Sequence, residues 1–188
     1  MSFTKNFLVK PTPDNIISHI SDVQISNVNK YAKYALEHDN DTKKKSKDEA
    51  ASIHIITSKL NTHLSILYET QISSFYGKPD FIIRLGKNLY IMVSTTQAVN
   101  KKALFTEKDA YRLMQKKLNG LYICSQNLDC LVDEVISENH LIRPVLHILS
   151  PCAANSDMCN IACSDIIKKN KNLSNIKIVI SIINSNIF

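Results

Sequence analysis

Tyr68-Glu69-Thr70, Gly77-Lys78-Pro79-Asp80-Phe81-Ile82-Ile83 and Leu89-Tyr90-Ile91-Met92-Val93-Ser94-Thr95-Thr96 read as three consecutive strands. Short runs rich in Ile, Val, Tyr and Phe alternate with the turn segments Gly77-Lys78-Pro79 and Gly86-Lys87-Asn88. The expected bounds are Ser65 to Ile72, Asp80 to Leu85 and Leu89 to Thr95. The second turn is short enough to make the last two strands an antiparallel hairpin.

Working outward, Ala51, Ile55, Ile56, Leu60 and Leu64 recur at helical spacing, so a helix starting near Asp48 precedes the strands. After them, Thr106 followed by Glu107, Lys108 and Asp109 is a helix start. It leads through Ala110, Leu113, Met114, Lys117 and Leu118 to a stop near Gly120. Leu121 to Ser125 then reads as a strand, Val145 to Leu149 as another, Ile161 to Lys168 as a helix and Ile176 to Ile183 as a strand. Helical crossovers return the chain in one direction, so the later strands are expected to pair in parallel and the sheet to be mixed.

Towards the N-terminus, Pro11 to Leu36 carries helical signals: Pro13-Asp14 precedes Ile16, Ile17 and Ile20, and Val28, Tyr31, Ala32 and Ala35 follow at helical spacing. His38 to Lys47 has no apolar residue and reads as an exposed, mobile connection whose lysines are solvated. The organisation expected is a helical segment with a Lys-rich loop over residues 1–47 and an α/β domain over 48–188.

A chain of 188 residues can bury one ordinary core without staples. With 44% hydrophobic and 21% charged residues, neither disorder nor a fibrous class is needed. Only 3 glycines argue against a loop-rich all-β protein. The net charge of +6 permits an anionic partner, although spread-out basic residues also suit a simply soluble protein. Five cysteines and an N-terminus without a secretory apolar run fit a reducing compartment, hence an intracellular location, cytoplasmic or nuclear. No run approaches the ~20 apolar residues needed to span a bilayer, so no membrane partner is expected.

The order helix, three strands, helix, strand, with Gly77-Lys78-Pro79-Asp80 opening the second strand, resembles the αβββαβ core of the PD-(D/E)XK, or restriction-endonuclease-like, nuclease superfamily. The resemblance spans Ala51 to Ser125. It implies an α/β fold with that core on a mixed central sheet, a helical N-terminal segment and a C-terminal α/β extension. It also implies a site where acids from neighbouring elements hold Mg²⁺, which activates water and neutralises phosphate charge. By position those acids are Glu69 and Asp80, the implied catalytic and metal-binding residues. In the superfamily the third strand adds an acid and, two residues later, a lysine; here those positions are Val93 and Thr95. Gln97 is the nearest polar residue able to offer a carbonyl, and Lys101, Lys102, Lys116 or Lys117 can stand in for the lysine from a neighbouring element.

The function so implied is that of a nuclease-like protein acting on or binding nucleic acid, DNA rather than RNA, with cleavage weak or lost. Lys78, Lys101, Lys102, Lys116 and Lys117 would contact phosphate, and Mg²⁺ is the implied cofactor. The alternatives are a non-catalytic protein-interaction or assembly scaffold on the same fold and a divergent Mg²⁺-dependent endonuclease. Simpler roles exist for both acids: Glu69 facing solvent on an edge strand, Asp80 capping a turn. Ile176 to Ile183, taken as an edge strand, would allow a homodimer.

His54 and His63, nine residues apart on the first helix, do not share a face, and each reads as packing or surface unless it joins the metal site. His147, Cys152, Cys159 and Cys163 are zinc-ligand types at poor spacing, and buried free thiols are the simpler reading. There is no phosphate-cradling Gly-rich loop, and no Cys pairs with a His and a carboxylate as a cysteine nucleophile requires.

Overall fold

In β4 of the sheet, Leu89–Gln97, alternate residues point to opposite helical layers, and this alternation organises the molecule. The structure, a computed structural model, describes residues 16–21, 23–38, 43–60, 64–68, 78–100, 103–127 and 141–183. Its strands are β1 (Ile16–Ser21), β2 (Leu64–Tyr68), β3 (Phe81–Leu85), β4, β5 (Leu141–Ser150) and β6 (Lys177–Ile183). The helices are α1 (Lys30–His38), α2 (Lys43–Leu60), α3 (Glu107–Gln126) and α4 (Ala153–Lys169).

The six strands form one mixed sheet in the order β1-β6-β5-β4-β3-β2. β2, β3 and β4 pair antiparallel, with Ile82 opposite Met92, while β5 runs parallel to β4, β6 to β5 and β1 to β6. The hairpin expected between β3 and β4 is present, and Gly86 takes φ 65°, the left-handed conformation its turn requires. One face of the sheet (Phe81, Ile83, Ile91, Val93, Val145, Val179) packs on α1 and α2. The other (Ile82, Tyr90, Met92, Leu146, Ile148, Ile178) packs on α3 and α4. Each such side chain contributes about 1.5–3 kcal/mol by leaving water, which is what holds the three layers together.

Several local expectations give way to this packing. Leu121 to Ser125 is the end of α3, not a strand. Leu121 and Cys124 continue the buried stripe of Ala110, Met114 and Leu118, and their burial outweighs the ~1 kcal/mol that Gly120 costs inside a helix. The strand that follows α3 and lies beside β4 is β5. Ile16 to Ser21, expected to be helical, form β1 because six residues find parallel partners along β6. Consequently β6 is an inner strand, and an edge-to-edge dimer through it is ruled out by β1. Lys43 to Lys47, expected in a loop, begin α2, whereas residues 39–42 lie outside the described residues. α4 is longer than expected, starting at Ala153. No described helix is long and apolar enough to cross a membrane.

Candidate functional site

Asp80 stands one residue before β3, where its N–H donates to Val93 O at 2.9 Å and so ties it to β4. Its carboxylate turns back on the same strand: Oδ2 accepts from Thr95 N at 2.5 Å and from Ser94 Oγ at 3.1 Å. The ammonium of Lys117, midway along α3, lies 3.9 Å from Oδ2, donates to Thr95 O at 2.8 Å and reaches Ser94 Oγ at 3.4 Å. The two charged side chains are only 29% and 13% exposed, so their attraction is poorly screened. Charge-assisted hydrogen bonds of this kind are about twice as strong as neutral ones.

From the other layer, α2 brings Asp48 and the buried Glu49 towards the same strand end, and Gln97 Nε2 donates to Asp48 Oδ1 at 2.5 Å. The result is a hollow of about 270 Å³ lined by Asp48, Glu49, Asp80, Thr95, Thr96, Gln97, Val99 and Lys117. A second hollow, about 210 Å³, adjoins it and is lined by Lys78, Pro79, Ser94, Lys116, Lys117, Gly120, Leu121 and Cys124. Lys117 lines both. One hollow is therefore dominated by carboxylates and the other by ammonium groups, an arrangement able to seat an anion beside an acid. Burial, with a smaller contribution from the Asp80 charge, pushes up the thiol of Cys124 in the wall of the basic hollow.

Of the residues singled out in the sequence, Asp80, Lys117 and Gln97 meet at the first hollow, and Lys78 and Lys116 line the second. Glu69, Lys101, Lys102 and His63 lie outside the described residues. Val93 is core, packed towards α1 and α2, and Thr95 serves through its backbone as well as its hydroxyl. His54 Nδ1 accepts from Asn29 N at 3.1 Å, and burial lowers its pKa, so it anchors the chain entering α1. The zinc-type residues do not assemble: Cys159 and Cys163 are buried between α4 and the sheet, Cys152 is exposed, and His147 belongs to the opposite face. Burial raises the thiols of Cys159, to about 12, and Cys163.

Asp48 and Glu49 were not legible as site residues. They precede an apolar helical face, and only the docking of α2 on β4 brings them to Asp80. Among the described residues no three His, Cys, Asp or Glu side chains converge as a ready-made metal centre. Instead, Thr95 O, Ser94 Oγ and Asp80 Oδ2 converge on the ammonium of Lys117. Compared with known protein families, curated proteins and solved structures, the chain finds no match, so the reading of this site rests on its geometry.

Proposed function

We propose that this is a nuclease-like protein that engages the phosphodiester backbone of nucleic acid, DNA in preference to RNA, at the two adjoining hollows, with cleavage weak or lost. The order α2-β2-β3-β4-α3-β5, with two antiparallel pairings and then a parallel one, supports the restriction-endonuclease-like reading of the core. The observation that carries the functional reading is the seat of Lys117. A hydrated divalent cation needs hard oxygen ligands, and three such oxygens here surround an ammonium. That ammonium offsets the Asp80 carboxylate, and Lys78 and Lys116 give the phosphate backbone a basic surface.

A second reading, a divergent Mg²⁺-dependent endonuclease, draws on one specific feature: Asp48, Glu49 and the carbonyl-bearing Gln97 line the same hollow as Asp80. In that reading Asp80 with the α2 carboxylates would hold Mg²⁺, which supplies activated water and charge neutralisation. The experiment that separates the two measures binding and cleavage of labelled single- and double-stranded DNA and RNA, with Mg²⁺ and Mn²⁺, by the native chain and by Asp80→Ala. Salt-sensitive binding without turnover is the expected result. Turnover abolished by Asp80→Ala would establish the endonuclease, and absence of binding even at low salt would leave a protein-interaction scaffold.

A further inference from the structure

Thr95 uses three different atoms for three partners: its N–H holds Asp80, its carbonyl holds Lys117, and its hydroxyl donates to Ser52 Oγ at 3.0 Å. Ser52 Oγ lies 2.6 Å from His147 Nδ1, and His147 Nε2 lies 2.7 Å from Ser181 Oγ. We infer that Ser181, His147 and Ser52 form a buried positioning relay that fixes Thr95, and through it the charged residues of the pocket.

The placement of the relay separates it from ordinary core packing. Thr95, His147 and Ser181 lie on the adjacent strands β4, β5 and β6; Thr95 and His147 are direct partners, and Ser181 pairs with Leu149, two residues along. They face the layer otherwise filled by Val93, Val145, Val179 and Ile183. Ser52, His147 and Ser181 are each 0% exposed and Thr95 is 6% exposed. Four polar side chains in that layer carry a desolvation cost that Val or Ile would avoid, and they are stable there only because each is hydrogen-bonded. Thr95 donates to Ser52, and either neutral tautomer of His147 bonds both Ser52 and Ser181, as donor to one and acceptor from the other. Ser52 also lies four residues beyond Asp48 and three beyond Glu49 on α2, the separations that share a helix face. The bonds from Ser52 to β4 and β5 therefore tie to the sheet the turn of α2 that carries both carboxylates.

The relay stands on geometry alone, whereas its consequence for nucleic acid rests on the proposed function. The test is amide hydrogen exchange and proton chemical shift of Thr95 in the free, full-length chain, comparing native with Ser181→Ala. Ser181 lines neither hollow and sits two strands from Thr95, and the bonds through His147 and Ser52 connect the two. Loss of a buried partner should accelerate Thr95 exchange about tenfold relative to its strand neighbours and move its proton upfield. Val179→Ala, an apolar truncation on the same strand and face, should loosen the layer without singling out Thr95. If Ser181→Ala fails to fold, Thr95→Val and Thr95→Ser provide the same contrast, since only the serine keeps the hydroxyl and should retain native protection. A Thr95 amide indifferent to Ser181→Ala, or displaced equally by Val179→Ala, overturns the relay. Failure of the native chain to bind nucleic acid would remove the functional reading and leave this result untouched.

Discussion

Lys117 Nζ and Thr95 O are 2.8 Å apart, and this bond places an ammonium from α3 between the carboxylate of Asp80 and the end of β4. An ion held there by backbone is a structural charge, and its removal has a readable consequence. We expect Lys117→Met to leave Asp80 Oδ2, Ser94 Oγ and Thr95 O facing one another, so that Mn²⁺ binds more tightly than to the native chain. Adding Asp80→Asn should abolish the gain. Mn²⁺ titration followed by water proton relaxation measures both, and the single substitution should cost about 1 kcal/mol of stability from the lost charged hydrogen bond. Equal Mn²⁺ affinity of native and Lys117→Met chains would count against the cation-substituting role.

Binding should be chiefly electrostatic, because the exposed Lys78 and Lys116 flank a hollow open to solvent. Neutralising one phosphate on a duplex contributes about 0.9 to the slope of log affinity against log salt. Lys78→Glu and Lys116→Glu should each weaken DNA binding and flatten that slope by about this amount, measured by fluorescence anisotropy across a salt series. Lys33→Glu, on α1, which contributes no residue to either hollow, should do much less. Three parallel lines of equal slope would show that the basic hollow is not the contact.

The two described glycines with opposite backbone settings should respond oppositely to alanine. Gly120 lies within α3, where an added Cβ meets nothing within 4 Å, so Gly120→Ala should stabilise by about 0.5–1 kcal/mol. Gly86 holds φ +65° in the β3–β4 turn, so Gly86→Ala should destabilise by about 1–2 kcal/mol. Urea unfolding of both variants checks the pair. Destabilisation by Gly120→Ala would argue against a continuous α3.

The start of α3 predicts an acid-dependent contribution. Thr106 N donates to Asp109 Oδ2 at 3.2 Å and Asp109 N to Thr106 Oγ1 at 3.2 Å, a reciprocal capping box, and Thr106 Oγ1 at 2.8 Å and Asn100 Nδ2 at 3.2 Å also donate to Asp109 Oδ2. These bonds, the Thr106 hydroxyl first, hold the Asp109 carboxyl below the usual carboxylate range. A depressed folded value means that the contribution is present at neutral pH and is lost as pH falls through that value. Asp109→Asn should therefore flatten the acid limb of the stability curve, and Thr106→Ala should cost about 1 kcal/mol at pH 7. Acid limbs that superimpose for native and Asp109→Asn would refute the assignment.

Much of this protein is legible locally. Gly86-Lys87-Asn88 between two β-branched runs determines the β3–β4 hairpin, because the turn is short and Gly supplies the left-handed residue it needs. The Thr106 to Asp109 capping box determines where α3 begins, whereas Asp80 lies one residue before the strand it was expected to open and β4 runs on past Thr95 to Gln97. Other features depend on partners far along the chain. Ile16 to Ser21 and Leu121 to Ser125 are short apolar runs whose local preference is weak, so β6 makes one a strand and the sheet beneath α3 makes the other a helix. The site divides in the same way: Asp80 and Lys117 are recognisable as candidates, but their meeting depends on α3 crossing the end of β4. Asp48, Glu49, Ser52, His147 and Ser181 come from separate elements that share no local pattern. Docking α2 on β4 and β5 makes them neighbours, because burial of apolar faces sets helix position and the polar groups carried along must then find partners.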